Sequence, residues 1–278
     1  MPKRNFAVIG HPIIHTMSPF IHKRLFELAH ESGDYTILDV SPDELPQKIK
    51  ILNELAGYNI TIPNKQAIIP YLDTLDKKAA LYGSVNTVKN GSIREGFTTD
   101  ADGFLKALQY GSINFSGNIA IIGCGGAART FLYEAALAGC QVTLAARDIT
   151  KADFLAKEAT QKIPNANINT CLISDLNGEF DLLANATPVG MYPHTNSMPV
   201  SEKALSKCRN VFDAIYNPLE TVLIQKAKAN GSIAVGGMSM LVWQAVAAHE
   251  IWDNSVYNIN DINQLILDSA AEMKKIFY

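Results

Sequence analysis

The 278-residue chain has little of what marks a secreted, membrane-spanning or nucleic-acid-binding protein. Its formal net charge is −3 at pH 7, so no basic face is expected and nucleic acid is not an expected partner. No apolar run reaches the roughly 18 residues that a membrane span requires. The first apolar run, at 6–9, ends at Gly10 and predicts a strand rather than a signal peptide. We therefore expect a cytoplasmic protein with no membrane partner.

Cysteine and histidine are sparse and scattered. The four cysteines lie far apart without C-x-x-C spacing, which predicts reduced thiols rather than a zinc site or a redox pair. The six histidines show no metal-ligand spacing either. We expect no metal ion, and we look for the chemistry among hydroxyl, amide, lysine and aspartate side chains.

What the sequence does contain is β–α alternation in two consecutive regions. The first runs from 5 to about 97, with predicted strands at 5–9, 36–40 and 59–62. The second follows a turn-like stretch at 114–118, and its predicted strands are 118–122, 141–146, 181–184, 210–214 and 232–235. Strands separated by helical stretches predict a parallel sheet with helices on both faces.

Capping residues predict where the first two helices begin and end. Ser18 is predicted as an N-cap, with Pro19 at the first helical position. Ser41 and Glu44 are predicted as a capping box. Gly57 is predicted to end the second helix.

The last two predicted helices, at 239–252 and 260–276, follow the final strand without a further sheet element. We expect at least the first of them to pack back on the N-terminal region. The predicted domains are therefore a discontinuous substrate-binding domain, 1–103 with 237–278, and a dinucleotide-binding domain, 104–236. The fold class is α/β, with a Rossmann-type doubly wound domain beside an α/β substrate domain.

A glycine-rich turn directly follows the first strand of the second region. Gly123 permits the tight turn, Gly125 lets the backbone approach a pyrophosphate, and the small Ala128 allows close packing of helix on strand. The helix N-terminus at Gly126 and Ala127 offers free N–H groups and a positive dipole end. With its flanking strand and helix, the turn predicts a dinucleotide site.

The end of the next strand discriminates between cofactors. NAD usually requires an acidic residue there for the ribose 2′-hydroxyl, whereas NADP requires a cation for the 2′-phosphate. The strand ends at Ala146 and Arg147 follows, which favours NADP. Asp148 comes next, and its carboxylate could hold a hydroxyl instead, so NAD stays open as the alternative.

Polar motifs occur in a fixed order along nearly the whole chain. They are 15–19 (HTMSP), 57–65 (GYNITIPNK), 83–87 (GSVNT), 96–103 (GFTTDADG), 185–191 (NATPVGM), 216–218 (YNP) and 237–244 (GMSMLVWQ). In content and order they resemble the motifs of shikimate dehydrogenases. The resemblance implies reversible, NADPH-dependent reduction of 3-dehydroshikimate to shikimate, a step of chorismate and aromatic amino-acid biosynthesis.

The resemblance also implies roles for particular residues. Lys65 would transfer the proton, and Asp100 would pair with it. The implied substrate contacts are Thr16, Ser18 and Thr61 for the carboxylate, Asn86, Asp100 and Gln244 for the ring hydroxyls, and Tyr216 at the substrate edge. The implied cofactor contacts are Gly123, Gly125, Gly126, Ala127 and Arg147, with Thr187, Ala214 and Gly237 on the nicotinamide side.

The proposed chemistry is reasonable without the family name. A ketone that gains hydride develops oxyanion character and needs a proton donor beside it, which Lys65 can supply. Some residues depart from the family pattern. Thr16 replaces the usual first serine, Thr98 replaces an asparagine, and Ala146 and Asp148 replace the polar neighbours of Arg147.

Two alternatives remain at this point. One is an NAD-dependent quinate/shikimate dehydrogenase, which the departures at Thr16 and around Arg147 favour. The other is a non-catalytic dinucleotide-binding regulator, which would not need Lys65 or Asp100. We expect a monomer or a homodimer in each case.

Overall fold

The computed structural model describes residues 4–13 and 16–277. The chain divides into two compact units, Met1–Gly103 with Leu241–Tyr278, and Phe104–Met240. The first unit is therefore discontinuous in sequence. The chain returns to the first unit at Leu241, whereas the sequence prediction placed this return at 237. His15, which belongs to the first polar motif, lies outside the described residues.

Strands and helices alternate along the chain. The strands are β1 (Arg4–Gly10), β2 (Gly33–Asp39), β3 (Gly57–Ile60), β4 (Thr74–Leu75), β5 (Thr87–Asn90), β6 (Arg94–Phe97), β7 (Asn118–Ile122), β8 (Gln141–Ala146), β9 (Asn167–Leu172), β10 (Leu182–Asn185), β11 (Asn210–Asp213) and β12 (Ile233–Gly236). The α-helices are α1 (Ser18–Leu28), α2 (Leu45–Leu52), α3 (Lys77–Tyr82), α4 (Asp100–Tyr110), α5 (Gly126–Leu137), α6 (Ile149–Lys162), α7 (Glu202–Leu205), α8 (Val222–Ala229), α9 (Met238–Asp253) and α10 (Ile259–Phe277). Short 3-10 turns lie at Ile69–Tyr71 and Ile173–Asp175.

The sheet of the first unit is mixed, in the order β2-β1-β3-β5-β6-β4. β1 pairs in parallel with β2 and β3, whereas β5 runs antiparallel to both β3 and β6. The carboxyl ends of β1, β3 and β6 therefore meet the amino end of β5 at one edge. Each polar motif of the first unit up to residue 103 follows or precedes one of these strand ends, so the topology gathers them there.

The β5–β6 hairpin was not predicted from the sequence. Its turn begins at Asn90-Gly91, and the Gly91 N–H donates to the Ile93 carbonyl oxygen at 3.1 Å. An Asn-Gly pair between two short strands is a strong hairpin signal. The sequence therefore carries the hairpin signal within a region that otherwise alternates strands and helices.

Two predicted helix starts are wrong. α1 begins at Ser18, so Ser18 is a helical residue and not the cap. Thr16 supplies the missing acceptor, because its Oγ1 accepts the Ser18 backbone N–H at 3.2 Å. α2 begins only at Leu45, so the predicted start is too early. Half of the predicted capping box is nevertheless present, because the Glu44 carboxylate accepts the Ser41 N–H at 3.0 Å in a turn before the helix.

Gly57 does not end a helix, as the sequence predicted, but lies inside β3. A Cβ atom there would come 2.3 Å from Nε1 of Trp252, so only glycine fits. The Trp252 ring, on α9, packs 4.7 Å from the Phe6 ring on β1, and its Nε1 donates to the Val88 carbonyl at 2.9 Å. The C-terminal segment thus shares the core of the first unit.

The second unit contains a parallel sheet in the order β12-β11-β10-β7-β8-β9. Counted along the chain from β7, this is the order 6-5-4-1-2-3, which defines the doubly wound dinucleotide-binding fold. The α/β fold class predicted from the sequence is confirmed. The order reverses between β7 and β10, and ligands bind such sheets at the carboxyl ends beside this reversal. No helix in the described part of the chain is both long and apolar enough for a membrane span.

Candidate active site

Lys65 and Asp100 form an ion pair in the first unit, with Nζ 2.5 Å from Oδ2. The two side chains are 17% and 12% exposed, so solvent reaches the pair but covers little of it. Asp100 is the first residue of α4, where the positive end of the helix dipole stabilises a carboxylate. An ammonium group held beside a fixed carboxylate can give up and take back a proton.

Asn86 holds the second oxygen of Asp100. Its Nδ2 donates to Asp100 Oδ1 at 2.9 Å and to Thr99 Oγ1 at 3.0 Å, while its Oδ1 accepts the Thr99 backbone N–H at 2.6 Å. Asn86 and Thr99 are 3% and 1% exposed. A buried amide with both ends bonded has one orientation, so it fixes the carboxylate that faces Lys65.

Hydrogen bonds of two adjacent residues, Asn64 and Lys65, hold the segment that carries the lysine. The buried Asn64 donates from Nδ2 to the Val40 carbonyl at 2.7 Å. The Lys65 carbonyl accepts the Val85 N–H at 2.9 Å, directly before Asn86. The lysine backbone is therefore held against the same strand start that positions Asp100.

Two short hydrogen-bonded groups also lie in the first unit. Thr16 donates to the Ser18 hydroxyl at 3.1 Å. The Tyr35 hydroxyl donates to Asn59 Oδ1 at 2.7 Å, and Asn59 in turn donates to the Asn86 carbonyl at 3.3 Å. Tyr35 and Asn59 thus belong to the network that holds the Lys65–Asp100 pair.

The three remaining predicted substrate contacts are Thr61, Gln244 and Tyr216. Thr61 follows β3, and its methyl carbon would meet a Cβ at Gly10 at 2.4 Å. Gln244 is buried on α9, where its Nε2 donates to the Leu241 carbonyl at 2.9 Å instead of to the ion pair. Tyr216 belongs to the second unit, where burial raises the pKa of its hydroxyl.

The glycine-rich turn of the second unit has the geometry that a phosphate site requires. Gly123 has φ +106°, and a Cβ there would lie 2.9 Å from the Thr187 methyl carbon. Gly125 precedes α5, and a Cβ there would meet no atom within 4 Å, so the space above the backbone is open. The first N–H groups of α5, at Gly126 and Ala127, have no partner within the helix. These features fit a bound pyrophosphate.

Buried polar groups at the ends of β10 and β11 support the loops beside this turn. Asn185 Oδ1 accepts both the N–H and the hydroxyl of Thr187, at 3.0 and 2.8 Å. Asn185 Nδ2 donates to Asp213 at 2.9 Å. Burial raises the pKa of the Asp213 carboxyl to about 6, although three hydrogen bonds favour its ionised form. Gly237 lies so close to Ala214 that a Cβ would be 2.2 Å from the Ala214 oxygen.

Of the two charged residues that follow β8, Arg147 is exposed and Asp148 caps the next helix. Asp148 is the N-cap of α6, and its Oδ1 accepts from the Thr150 N–H at 3.1 Å and from the Thr150 hydroxyl at 2.6 Å. The Thr150 hydrogen bond lowers the pKa of Asp148. One oxygen of the carboxylate therefore caps the helix, and the other lies 3.8 Å from Lys151 Nζ.

Sequence reasoning did not assign several of these residues. They are Tyr35, Asn59, Thr99, Asn185 and Asp213. Tyr35 and Asn59 lie within β2 and β3, Thr99 follows β6, and Asn185 and Asp213 end β10 and β11. Burial distinguishes the last four from surface residues, and burial is a tertiary property. Within the described residues, no group of three or more His, Cys, Asp or Glu side chains converges as a metal site.

The comparisons with known proteins agree with this geometry. Residues 8–88 match the family model of the shikimate dehydrogenase substrate binding domain. A shikimate dehydrogenase (NADP(+)) of Caldanaerobacter subterraneus is 36% identical over 91% of this chain and 92% of its own length. A Thermus thermophilus shikimate 5-dehydrogenase, solved with NADP(H) and shikimate, is 30% identical with a TM-score of 0.87, over 96% of this chain and 99% of the other.

Similarity extends to a relative with a different name. The ligand-free 5-ketofructose reductase of a Gluconobacter strain is 29% identical with a TM-score of 0.83, over 96% of this chain and 98% of the other. The fold and the site define a dinucleotide-binding α/β protein with a separate polar site. The chain belongs to the shikimate dehydrogenase family.

Proposed function

We propose that this protein is an NADP-dependent shikimate dehydrogenase that interconverts 3-dehydroshikimate and shikimate. The observation that carries the proposal is the Lys65–Asp100 pair, held by Asn86 at the edge where the polar motifs of the first unit meet. A polar site with a proton donor and several hydroxyl and amide groups suits a substrate with a ketone, a carboxylate and ring hydroxyls.

Proton transfer is the task of Lys65. NADPH, when bound, supplies the hydride that reduces the ring carbonyl carbon. The Lys65 ammonium gives its proton to the carbonyl oxygen as negative charge develops there. Asp100 keeps the ammonium in place, and Asn86 keeps Asp100 in place. In the oxidative direction the Lys65 amine takes the proton back from the shikimate hydroxyl.

The other predicted contacts orient the substrate. Thr16 and Ser18, already bonded to each other at 3.1 Å, are proposed to hold the carboxylate together with Thr61. Asn86, Asp100 and Gln244 are proposed to hold the ring hydroxyls, with Tyr216 at the substrate edge. A site that bonds each hydroxyl rejects analogues that lack one, because its own buried polar groups are then unpaired.

NADP fits the cofactor site better than NAD. The turn from Gly123 to Ala127 is proposed to hold the pyrophosphate, with Thr187, Ala214 and Gly237 on the nicotinamide side. The exposed Arg147 offers a cation for a 2′-phosphate. Asp148 caps α6 through Thr150, so its carboxylate is occupied and does not serve as the acid that an NAD ribose needs.

An NAD-dependent quinate/shikimate dehydrogenase remains the second candidate, because the Thr16 methyl group changes the shape of the proposed carboxylate site. A non-catalytic regulator is disfavoured, since it has no need of a shielded lysine–carboxylate pair. The four cysteines are free thiols, which suits a reducing compartment, and we propose a cytoplasmic enzyme. We further propose that it acts in chorismate biosynthesis and that it is a monomer or a homodimer.

One initial-rate assay with purified protein tests the proposal. The rates are measured for shikimate and quinate, each with NADP and with NAD. We expect the specificity constant to be highest for shikimate with NADP. A higher value for quinate with NAD would establish the second candidate, and no turnover of either substrate with either cofactor would refute the dehydrogenase assignment.

A further inference from the structure

Asp213 ends β11 as a fully buried carboxylate that accepts three hydrogen bonds. Its Oδ1 accepts from Asn185 Nδ2 at 2.9 Å and from the Ile215 N–H at 3.1 Å. Its Oδ2 accepts from the Thr221 hydroxyl at 2.6 Å. None of these donors carries a charge, so the carboxylate is buried without a cation among its hydrogen-bond partners. A buried charge of this kind costs free energy and persists only where its hydrogen bonds are complete.

These bonds reach each of the loops proposed to line the nicotinamide. Through Asn185, Asp213 reaches Thr187, whose N–H and hydroxyl both bond to the Asn185 oxygen. Through Ile215 it reaches Gly237, because the Ile215 carbonyl accepts the Gly237 N–H at 2.9 Å.

The third loop follows Asp213 directly in the sequence. Ala214 is the next residue, and its N–H donates to the Asn185 carbonyl at 3.0 Å. One side chain therefore connects the loops that follow three neighbouring strands, β10, β11 and β12, at the carboxyl edge of the sheet.

All three partners of Asp213 donate, which suits a carboxylate. Asparagine has the same shape, but it has one acceptor oxygen and a donating NH2 group in place of the second. Facing Thr221, that NH2 group would donate to a hydroxyl that already accepts the Ile224 N–H, and the hydroxyl would lose its own acceptor. Facing the other way, it would meet two donors, so either orientation rearranges the bonds at position 213 while the packing volume stays unchanged.

We infer that Asp213 is a positioning residue that sets the shape of the nicotinamide-side wall formed by Thr187, Ala214 and Gly237. The inference rests on the proposed function, because that proposal assigns these residues to the nicotinamide. Asp213 acts through Asn185 and Ile215, and it has no part in proton or hydride transfer. None of the three hydrogen bonds of Asp213 involves the pyrophosphate turn or Arg147, so the inferred role is confined to the nicotinamide half of the cofactor site.

The test compares two ligands that differ only in the nicotinamide. Binding of NADPH and of 2′-phospho-ADP-ribose, the same molecule without nicotinamide, is measured by calorimetry for the wild type and for Asp213→Asn. We expect Asp213→Asn to weaken NADPH roughly tenfold, the scale of one lost charge-assisted hydrogen bond, and to leave the fragment affinity unchanged. Equal weakening of both ligands, or of neither, would overturn the inference.

A matched control lies at the opposite edge of the same sheet. Asp181 Oδ2 accepts the Asn118 backbone N–H at 2.9 Å, beside the start of β7. Asp181→Asn makes the same chemical change at the amino edge, and both ligands are expected to bind it as they bind the wild type. A selective loss of NADPH binding in Asp181→Asn would show that the effect does not come from the loops at Asp213.

A second pair of variants carries the test if Asp213→Asn does not fold. Thr221→Val removes the donor to Asp213 Oδ2, whereas Thr221→Ser retains it. The same selective loss of NADPH affinity is expected for valine and not for serine, and equal behaviour of the two variants contradicts the inference. The two proposals can be refuted separately. If the wild type binds neither ligand, the cofactor assignment itself is wrong. If Asp213→Asn weakens NADPH and 2′-phospho-ADP-ribose equally, only the positioning role is wrong.

Discussion

The Lys65 ammonium and the Asp100 carboxylate, 35 positions apart in sequence, meet at 2.5 Å because β3 and β6 end at the same edge of one sheet. β5 runs antiparallel between them and begins at that edge, which brings Asn86 to the pair. Because β5 is antiparallel to both neighbours, its first residues lie between the last residues of β3 and β6. This brings Lys65, Asn86 and Asp100 together. The chemistry proposed for this protein depends on that arrangement.

Asn86→Ala is expected to lower kcat/KM for shikimate by roughly 10- to 100-fold, because Asp100 loses the amide that fixes it. The KM for NADP is expected to stay near the wild-type value. Steady-state kinetics with each ligand varied in turn measures both effects.

Asn90→Ala is the matched control for this prediction. Asn90 ends β5, the strand that Asn86 precedes, and donates to the Leu52 and Leu55 carbonyls, at 2.7 and 2.9 Å, away from the ion pair. It is expected to reduce stability without changing kcat/KM. If both alanine variants lost activity equally, Asn86 would have only a general structural role.

Arg147→Ala is expected to raise the KM for NADP about tenfold or more and to leave the KM for NAD unchanged, since only NADP carries the 2′-phosphate. The effect should shrink with added salt because Arg147 is exposed. Initial rates with both cofactors, at low and high ionic strength, provide the measurement.

Asp148→Ala separates capping from cofactor choice. If Asp148 only caps α6, the variant has a lower unfolding free energy because the cap is lost, and its NADP-to-NAD preference does not move toward NADP. A large gain in NADP preference would mean that the carboxylate faces the ribose after all.

Acid is expected to destabilise the protein through two buried histidines of the first unit. His22 Nδ1 lies 3.1 Å from His249 Nε2, and both residues are fully buried. Burial lowers the pKa of His22 well below its ordinary value and that of His249 to about 4. The unfolded chain therefore binds more protons than the folded protein below its own histidine pKa of about 6.5.

The sign of the pH effect follows from this. Stability from the neutral histidines is complete above about pH 6.5 and falls as the pH drops toward 4, by an amount on the order of 3 kcal/mol for His249. Urea unfolding at a series of pH values measures the slope. His249→Gln cannot titrate, and it should flatten the slope in this window. An unchanged slope would show that other groups cause the acid sensitivity.

The second unit was the easier one to predict from the sequence. β7 (Asn118–Ile122) and β8 (Gln141–Ala146) were predicted with the correct bounds, because each is a short apolar run bounded by glycine or a turn. β9 (Asn167–Leu172) was missed. It lies at the edge of the sheet with several exposed residues and mixes polar and apolar side chains, so it lacks that signature.

The site was only partly accessible from sequence. The motifs indicated Lys65, Asp100 and Asn86, but no sequence pattern states that Asn86 bonds both Asp100 and Thr99. Asp213 was overlooked because an aspartate at a strand end looks the same in sequence whether it faces water or three buried donors. Ser18 does not cap α1 because Met17, the residue before it, already has helical backbone angles, which the sequence does not state.

The most direct test of the account is the turnover of Lys65→Ala with 3-dehydroshikimate and NADPH, beside the NADPH dissociation constant and a Lys77→Ala control. The account predicts that kcat falls by roughly 10²- to 10⁴-fold, the usual loss for a missing general acid, while NADPH binds normally and Lys77→Ala behaves as wild type. Turnover of Lys65→Ala near the wild-type rate would contradict the account.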